Sequence, residues 1–175
     1  MFVEIAFIQK FTLFLSHPLY AIAVVLFAFL LSAGLGSRMS EWLSTATRPR
    51  MAPVAWPVAA IAGLSLVYLW LLPAALPALA AWPDTARIAL SVALIFPLGF
   101  AMGMPFPLGL AALDASAPLL VPWVWGINAC ASVVSAVLAT LLAIHFGFNF
   151  VLLWAVALYL LAAVCFPCRG RQPAG

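Results

Sequence analysis

From Ala115 to Cys168 the chain reads ASAPLLVPWVWGINACASVVSAVLATLLAIHFGFNFVLLWAVALYLLAAVCFPC, 54 residues without a Lys, Arg, Asp or Glu. A helix crosses a hydrocarbon core of ~30 Å in about 20 residues, so this run holds two crossings with a turn near Phe146–Gly147. Three further charge-free runs precede it, at 11–37, 51–83 and 88–113. Over all 175 residues, 68% are hydrophobic and 6% charged, against ~25% charged in soluble domains. A water-facing surface cannot be built from so few polar groups, whereas a lipid-facing one needs none. The fold class is all-α, a polytopic transmembrane helical bundle.

The chain divides into six segments at about 2–15, 18–36, 53–72, 86–104, 122–145 and 148–167, one transmembrane domain over 1–175. The first is too short to span, at roughly 22 Å including Met1. Ser16–His17–Pro18 interrupts it: Pro18 suits the first turn of a new helix, and Ser16 or His17 the cap region. Gly34 and Gly36 let the chain turn out of the second segment. Pro73, Pro77 and Pro83 mark a stiff loop after the third, with Trp82 placed for an interfacial anchor. The fourth carries Pro97, Gly99 and Gly103 and is broken at Met104–Pro107. Two prolines one residue apart remove backbone donors and clash with the preceding turn. The helix should kink or end there, with Leu108–Leu113 as a short surface continuation.

The formal charge of +3 does not indicate nucleic acid, because the basic residues stand singly or in pairs at segment ends. Lipid is the partner the composition implies. Three arginines lie in the connection 38–50 and two in the tail 169–175. Alternating sides groups both with the loop 111–121, and the positive-inside rule puts that group in the cytoplasm, with the carboxy terminus. Cys165 and Cys168 make a C-x-x-C spacing at the end of the last span. Lacking further ligands, it reads as incidental, and Cys130 as a small hydrophobe. The sequence calls for no cofactor and no metal.

Four polar residues are candidates for an intramembrane site: Glu4, Gln9, His17 and Asn128. Glu4 lies about 16 Å from Leu15 along the helix, near the midplane, where a carboxylate costs several kcal/mol unless paired or protonated. It is a structural polar contact, a proton- or substrate-handling group, or an end residue displaced to the interface. A helix extending upstream, with this chain a fragment, would explain both its depth and the buried amino terminus. Gln9 is about 140° around the helix from Glu4 and serves as interhelical glue or a ligand. Lys10 can snorkel to the surface. His17 is a cap or turn residue, a surface ligand or a titrating group; His145 is an interfacial anchor.

Trp125, Asn128, Ser132, Ser135 and Ala139 repeat at offsets of 3 and 4 and share one helix face. Small and polar residues there allow close helix approach, with Gly99-x-x-x-Gly103 as the matching face. Alternatively, Asn128 and the broken Met104–Pro107 backbone line a polar cavity, as discontinuous helices do in transporters. No glycine-rich nucleotide loop and no triad of nucleophile, base and orienting acid stands at informative spacing.

Four stretches taken together resemble a known family: Glu4–Phe11 (EIAFIQKF) with Leu15–Tyr20 (LSHPLY), Gly34–Ser37 (GLGS), Gly99–Pro107 (GFAMGMPFP) and Trp125–Ser132 (WGINACAS). They are similar to the carboxy-terminal membrane region of bacterial multi-spanning spermidine synthase-like proteins. Ser16 stands where the family's usual form is Gly-His-Pro. The resemblance implies an inner-membrane location, upstream membrane segments, and a Rossmann-type domain belonging to a larger parent. It therefore implies a scaffold or anchor domain without the soluble catalytic domain. The alternatives are a transporter-like domain for a small cationic or amine solute, and part of a membrane-associated aminopropyltransferase- or methyltransferase-like enzyme. An aminopropyl transfer site needs a nucleotide-binding fold and carboxylates for the polyamine, so this chain alone is not expected to be an enzyme.

Overall fold

The computed structural model describes residues 1–15, 17–46, 54–79 and 81–165. They form α1 (Phe2–Leu15), α2 (Pro18–Ala46), α3 (Ala55–Leu79), α4 (Asp84–Met102), α5 (Pro105–Asp114), a 3-10 turn at Pro118–Leu120, and α6 (Val121–Cys165). The described residues contain no strand. Four stretches are long and apolar enough to cross a membrane: Pro18–Ser40, Ala55–Leu79, Asp84–Asp114 and Pro118–Cys165. The protein is an all-helical, multi-pass membrane bundle.

At 45 residues, α6 would reach about 68 Å if straight. It is not straight: at Gly147 the backbone takes φ 80° and ψ 174°, a conformation that favours glycine. Two arms, 121–146 and 148–165, meet there. Trp125 of the first arm sits edge-on to Phe106 at 5.2 Å, while Tyr159 and Ala163 of the second pack on the cluster of Val54, Val58, Met104 and Leu108. Both free ends thus return to the region of α5, and the arms form a hairpin.

The short α1 occupies the centre. Phe7 is fully buried and its ring meets Phe29 of α2 at 5.5 Å, Tyr68 of α3 at 5.9 Å and Phe148 of α6 at 5.8 Å. Burial follows one stripe on each neighbour, Ile61–Ser65–Tyr68–Leu72 on α3 and Arg87–Ser91–Ile95–Leu98 on α4. These are the 3- and 4-residue offsets of a single helix face.

Three boundaries differ from the sequence expectation. Helix α2 does not stop at residue 36 but runs to Ala46. Gly36 serves close approach rather than a turn, since a Cβ there would overlap the Phe100 carbonyl. Pro73 and Pro77 lie inside α3, not in a loop. A proline ring is tolerated in a membrane helix where neighbouring structure accommodates the lost hydrogen bond. At Met104–Pro107 the helix is interrupted as the two prolines predict, α4 ending at Met102, and the difference lies in where the next helix begins. Gly103 N–H donates to the Gly99 carbonyl (3.0 Å) and Met104 N–H to that of Ala101 (3.3 Å), and α5 starts at Pro105 rather than Leu108. The Ser16 cap, Arg48, Arg50, the tail arginines and Cys168 lie outside the described residues.

Candidate functional site

Glu4 stands in the first turn of α1 with its side chain 16% exposed. Its Oε2 is buried without a hydrogen bond, 3.3 Å from the Met1 amino nitrogen. That ion pair spans three residues of one helix, so it holds the carboxylate locally and ties it to no other element. Glu4 faces the bundle rather than lipid. Ser65 of α3 is fully buried and its hydroxyl makes no hydrogen bond among the described residues. Glu4 and Ser65 are each one turn before the Phe7–Tyr68 ring contact, on helices running in the same direction.

The other three candidates do not join them. Gln9 is half-buried, and its amide makes no hydrogen bond among the described residues. His17 is exposed beyond the far end of α1, where its ring meets Tyr20 edge-on at 5.8 Å. Asn128 is exposed on the first arm of α6. Its backbone carbonyl accepts from Ser132 Oγ at 2.8 Å, and Ser135 Oγ donates to the Ser132 carbonyl at 2.9 Å. These hydroxyls bond within their own helix and glue nothing across it. The small face Gly99–Gly103 packs on Ser32 and Ala33 of α2, not on the stripe of α6 as the sequence suggested. His145 is exposed and bonds through Nδ1 to the Leu141 carbonyl at 2.8 Å. Lys10 Nζ lies 5.8 Å from the centroid of Phe148.

Three polar positions, Ser65, Tyr68 and Arg87, were not singled out from sequence. Arg87 is only 8% exposed; its guanidinium pairs with Asp84 at 3.2 Å and lies 4.9 Å from the centroid of Phe14. A cation over an aromatic face compensates for part of its lost hydration. Tyr68 donates its hydroxyl to the Leu94 carbonyl, tying α3 to α4. The signal for Ser65 and Tyr68 was available, since they fall at helical spacing with Ile61 and Leu72. For Arg87 the charge itself concealed it, because a basic residue near a helix start reads as surface.

Two surface concavities of about 690 and 710 Å³ lie against outward faces, one beside Trp123, Gly126 and Cys130, the other beside Val67 and Trp70. None of the four sequence candidates lines either. No group of three or more His, Cys, Asp or Glu suited to a metal ion occurs among the described residues. Compared with known families, curated proteins and solved structures, the chain has no significant match.

Proposed function

We propose that this chain is an integral membrane scaffold, the transmembrane domain of a spermidine synthase-like protein. The observation that carries the scaffold reading is the filled interior. Phe7, Phe11, Phe29, Ile61, Leu72 and Leu98 occupy the space between the helices, while His17 and Asn128 face outward and Gln9 makes no hydrogen bond among the described residues. Such a bundle offers packing surface rather than a polar path. The family attribution rests on the resemblance of the Glu4–Tyr20, Gly34–Ser37, Gly99–Pro107 and Trp125–Ser132 stretches.

In this proposal the six segments comprise five spans and the short α1, the location is the inner membrane, and the carboxy terminus is cytoplasmic. Exposed Trp42, Trp56, Trp123 and Trp125 near helix ends on one side, with Trp82 on the other, fit two interfacial belts. Upstream membrane segments and a Rossmann-type domain of a larger parent are the partners this reading calls for. Catalysis would belong to that domain. The test is purified chain in detergent with putrescine and decarboxylated S-adenosylmethionine: no spermidine above a no-protein control is expected, and protein-dependent turnover would overturn the proposal.

One observation favours the second reading, a transporter-like domain for a small amine or cation. Glu4 turns inward with a buried Oε2 that pairs with the Met1 amino group and makes no hydrogen bond among the described residues, and intramembrane carboxylates commonly serve solute or proton pathways. Proteoliposomes decide between the two. Amine, cation or proton flux in the wild type that Glu4→Gln abolishes without loss of helicity establishes transport; no flux above protein-free vesicles leaves the scaffold.

A further inference from the structure

We propose that Lys10 binds the phosphate of an anionic phospholipid at the corner where α1 meets the turn of α6 and the start of α4. Lys10 is the only lysine of the chain, and it stands about 8 Å from Leu15 along α1, toward the end of the helix away from Met1. The residues one turn before and after it, Ala6 and Phe14, are buried. Ala6 packs on Ala139, Ala143 and Val151 of both arms of α6, and Phe14 lies against the Arg87 guanidinium of α4. Lys10 is thus held at the edge of the packed face, half-buried, with its Nζ 5.8 Å from the centroid of Phe148 beside the turn at Gly147.

The charges of the chain select the ligand. Among the described residues Lys10 makes no ion pair and no hydrogen bond. The acidic residues are placed elsewhere: Glu4 pairs with the Met1 amino group, Asp84 pairs with Arg87, Asp114 ends α5 beyond the far end of α4, and Glu41 lies about 35 Å along α2 from Pro18. The Phe148 ring attracts the ammonium but leaves its charge in place. Arg87 brings a second positive charge to the corner, and its pairing with Asp84 leaves the charge of Lys10 as the surplus. Hydrocarbon offers no counter-ion. At the depth of a helix end the anion that a membrane supplies is a lipid phosphate, and basic sites between transmembrane helices bind such headgroups. A lipid of net charge −1 neutralises the single surplus, whereas phosphatidylcholine brings its own ammonium. Trp82 and Tyr20, both more than half exposed at the same end, suit the headgroup level.

The test uses the full chain in phosphatidylcholine nanodiscs with and without a minor fraction of phosphatidylglycerol. Because the chain has a single lysine, acetylation of Lys10 by an uncharged reagent, read by mass spectrometry of its peptides, reports on that ammonium without any substitution. Phosphatidylglycerol should slow the reaction about fivefold, the effect of one lysine at an anionic lipid. An Arg38→Lys variant, altered at an exposed position toward the other end of α2, calibrates the general effect of a charged bilayer, and position 38 should be slowed less than position 10. In native mass spectrometry with equal amounts of the two lipids, the wild type should retain phosphatidylglycerol first by a similar ratio. Lys10→Gln should abolish that preference and Lys10→Arg should keep it, with helicity checked by circular dichroism. Should Lys10→Gln lose helicity, the acetylation rates of the wild type decide. Inorganic phosphate added to pure phosphatidylcholine nanodiscs should leave the acetylation of Lys10 unchanged. Equal acetylation of Lys10 in the two bilayers, equal slowing at positions 10 and 38, a preference that survives Lys10→Gln in a folded protein, or protection by inorganic phosphate alone overturns the proposal.

Discussion

The contact between α2 and α4 is the most extensive helix pair of the bundle, and glycines make it possible. Alanine at position 36 would put a methyl group into the Phe100 carbonyl oxygen; alanine at position 34, two residues away, meets nothing within 4 Å. The comparison isolates packing, because both substitutions sit inside the same helix and gain the same helix propensity, about 0.8–1 kcal/mol. At Gly36 the obstacle is backbone, so no rotamer change relieves it. The two helices must separate by roughly an ångström to regain van der Waals distance, loosening the contacts along their length. Overpacking of this kind costs about 1–3 kcal/mol. Gly34→Ala should therefore be neutral or stabilising by up to about 1 kcal/mol, with Gly36→Ala about 1–3 kcal/mol less stable than it. Titration with SDS in mixed micelles, followed by far-ultraviolet circular dichroism and tryptophan fluorescence, measures the difference. Equal stability of the two variants would refute the close-approach argument, and a Gly36→Ala protein more stable than Gly34→Ala would reverse it.

Three further outcomes follow from the same packing. Phe7→Ala should cost about 3–5 kcal/mol in that titration, since the ring touches three other helices; a loss under 1 kcal/mol would mean that α1 is not the hub. Tyr68→Phe should cost about 0.5–1.5 kcal/mol through the lost bond to the Leu94 carbonyl, an effect that a double cycle with Leu72→Ala separates from ring packing. In a cysteine-free background, Ser44→Cys and Gln172→Cys should react with a membrane-impermeant maleimide only from the cytoplasmic side of the vesicles; reaction of both from the other side alone would invert the orientation.

Fold class was legible because it depends only on counting: 54 residues without a charge cannot form a soluble surface. The turn at Gly147 was legible too, since two spans in one run require a reversal and Gly147 admits a positive φ. The end of α2 was not. A glycine that turns a chain and a glycine that admits a neighbouring backbone look alike until the neighbour is placed. The same ambiguity applied to Gly99 and Gly103, whose small face could be matched to any small face in the chain; geometry gave it to Ser32 and Ala33. Proline posed the opposite problem. Pro73 and Pro77 interrupt helices in water, yet α3 continues through them. Of the candidate site, Glu4's position along α1 gave its depth but not the direction in which it faces. Nor was the exposure of Asn128 legible, because a stripe of small and polar residues does not say which helix packs against it.

The polar groups of this bundle do little to hold its helices together, which bears on what the bundle can do. Ser32 bonds to the Ala28 carbonyl, Ser91 to that of Arg87, Thr12 to that of Ile8, and Thr140 to that of Ala136, each inside its own helix. Among the described residues, the Tyr68–Leu94 bond crosses between helices, and it joins α3 to α4 alone. Cohesion comes instead from steric fit at Gly36, Gly99 and Gly103 and from the rings around Phe7, both of which lie among α1–α4 and the second arm of α6. The first arm shares in neither over residues 121–138: it is held by Trp125 against Phe106 at one end and by Ala139 and Ala143 against α1 at the other. Between these points its outward residues Ile127, Val133, Val134 and Val137 are all more than half exposed. In lipid that exposure carries no penalty for the valines and a penalty for the amide of Asn128. A filled centre with an outward-facing helix at its edge fits the scaffold proposed above, because a partner can engage the edge without repacking the aromatic core.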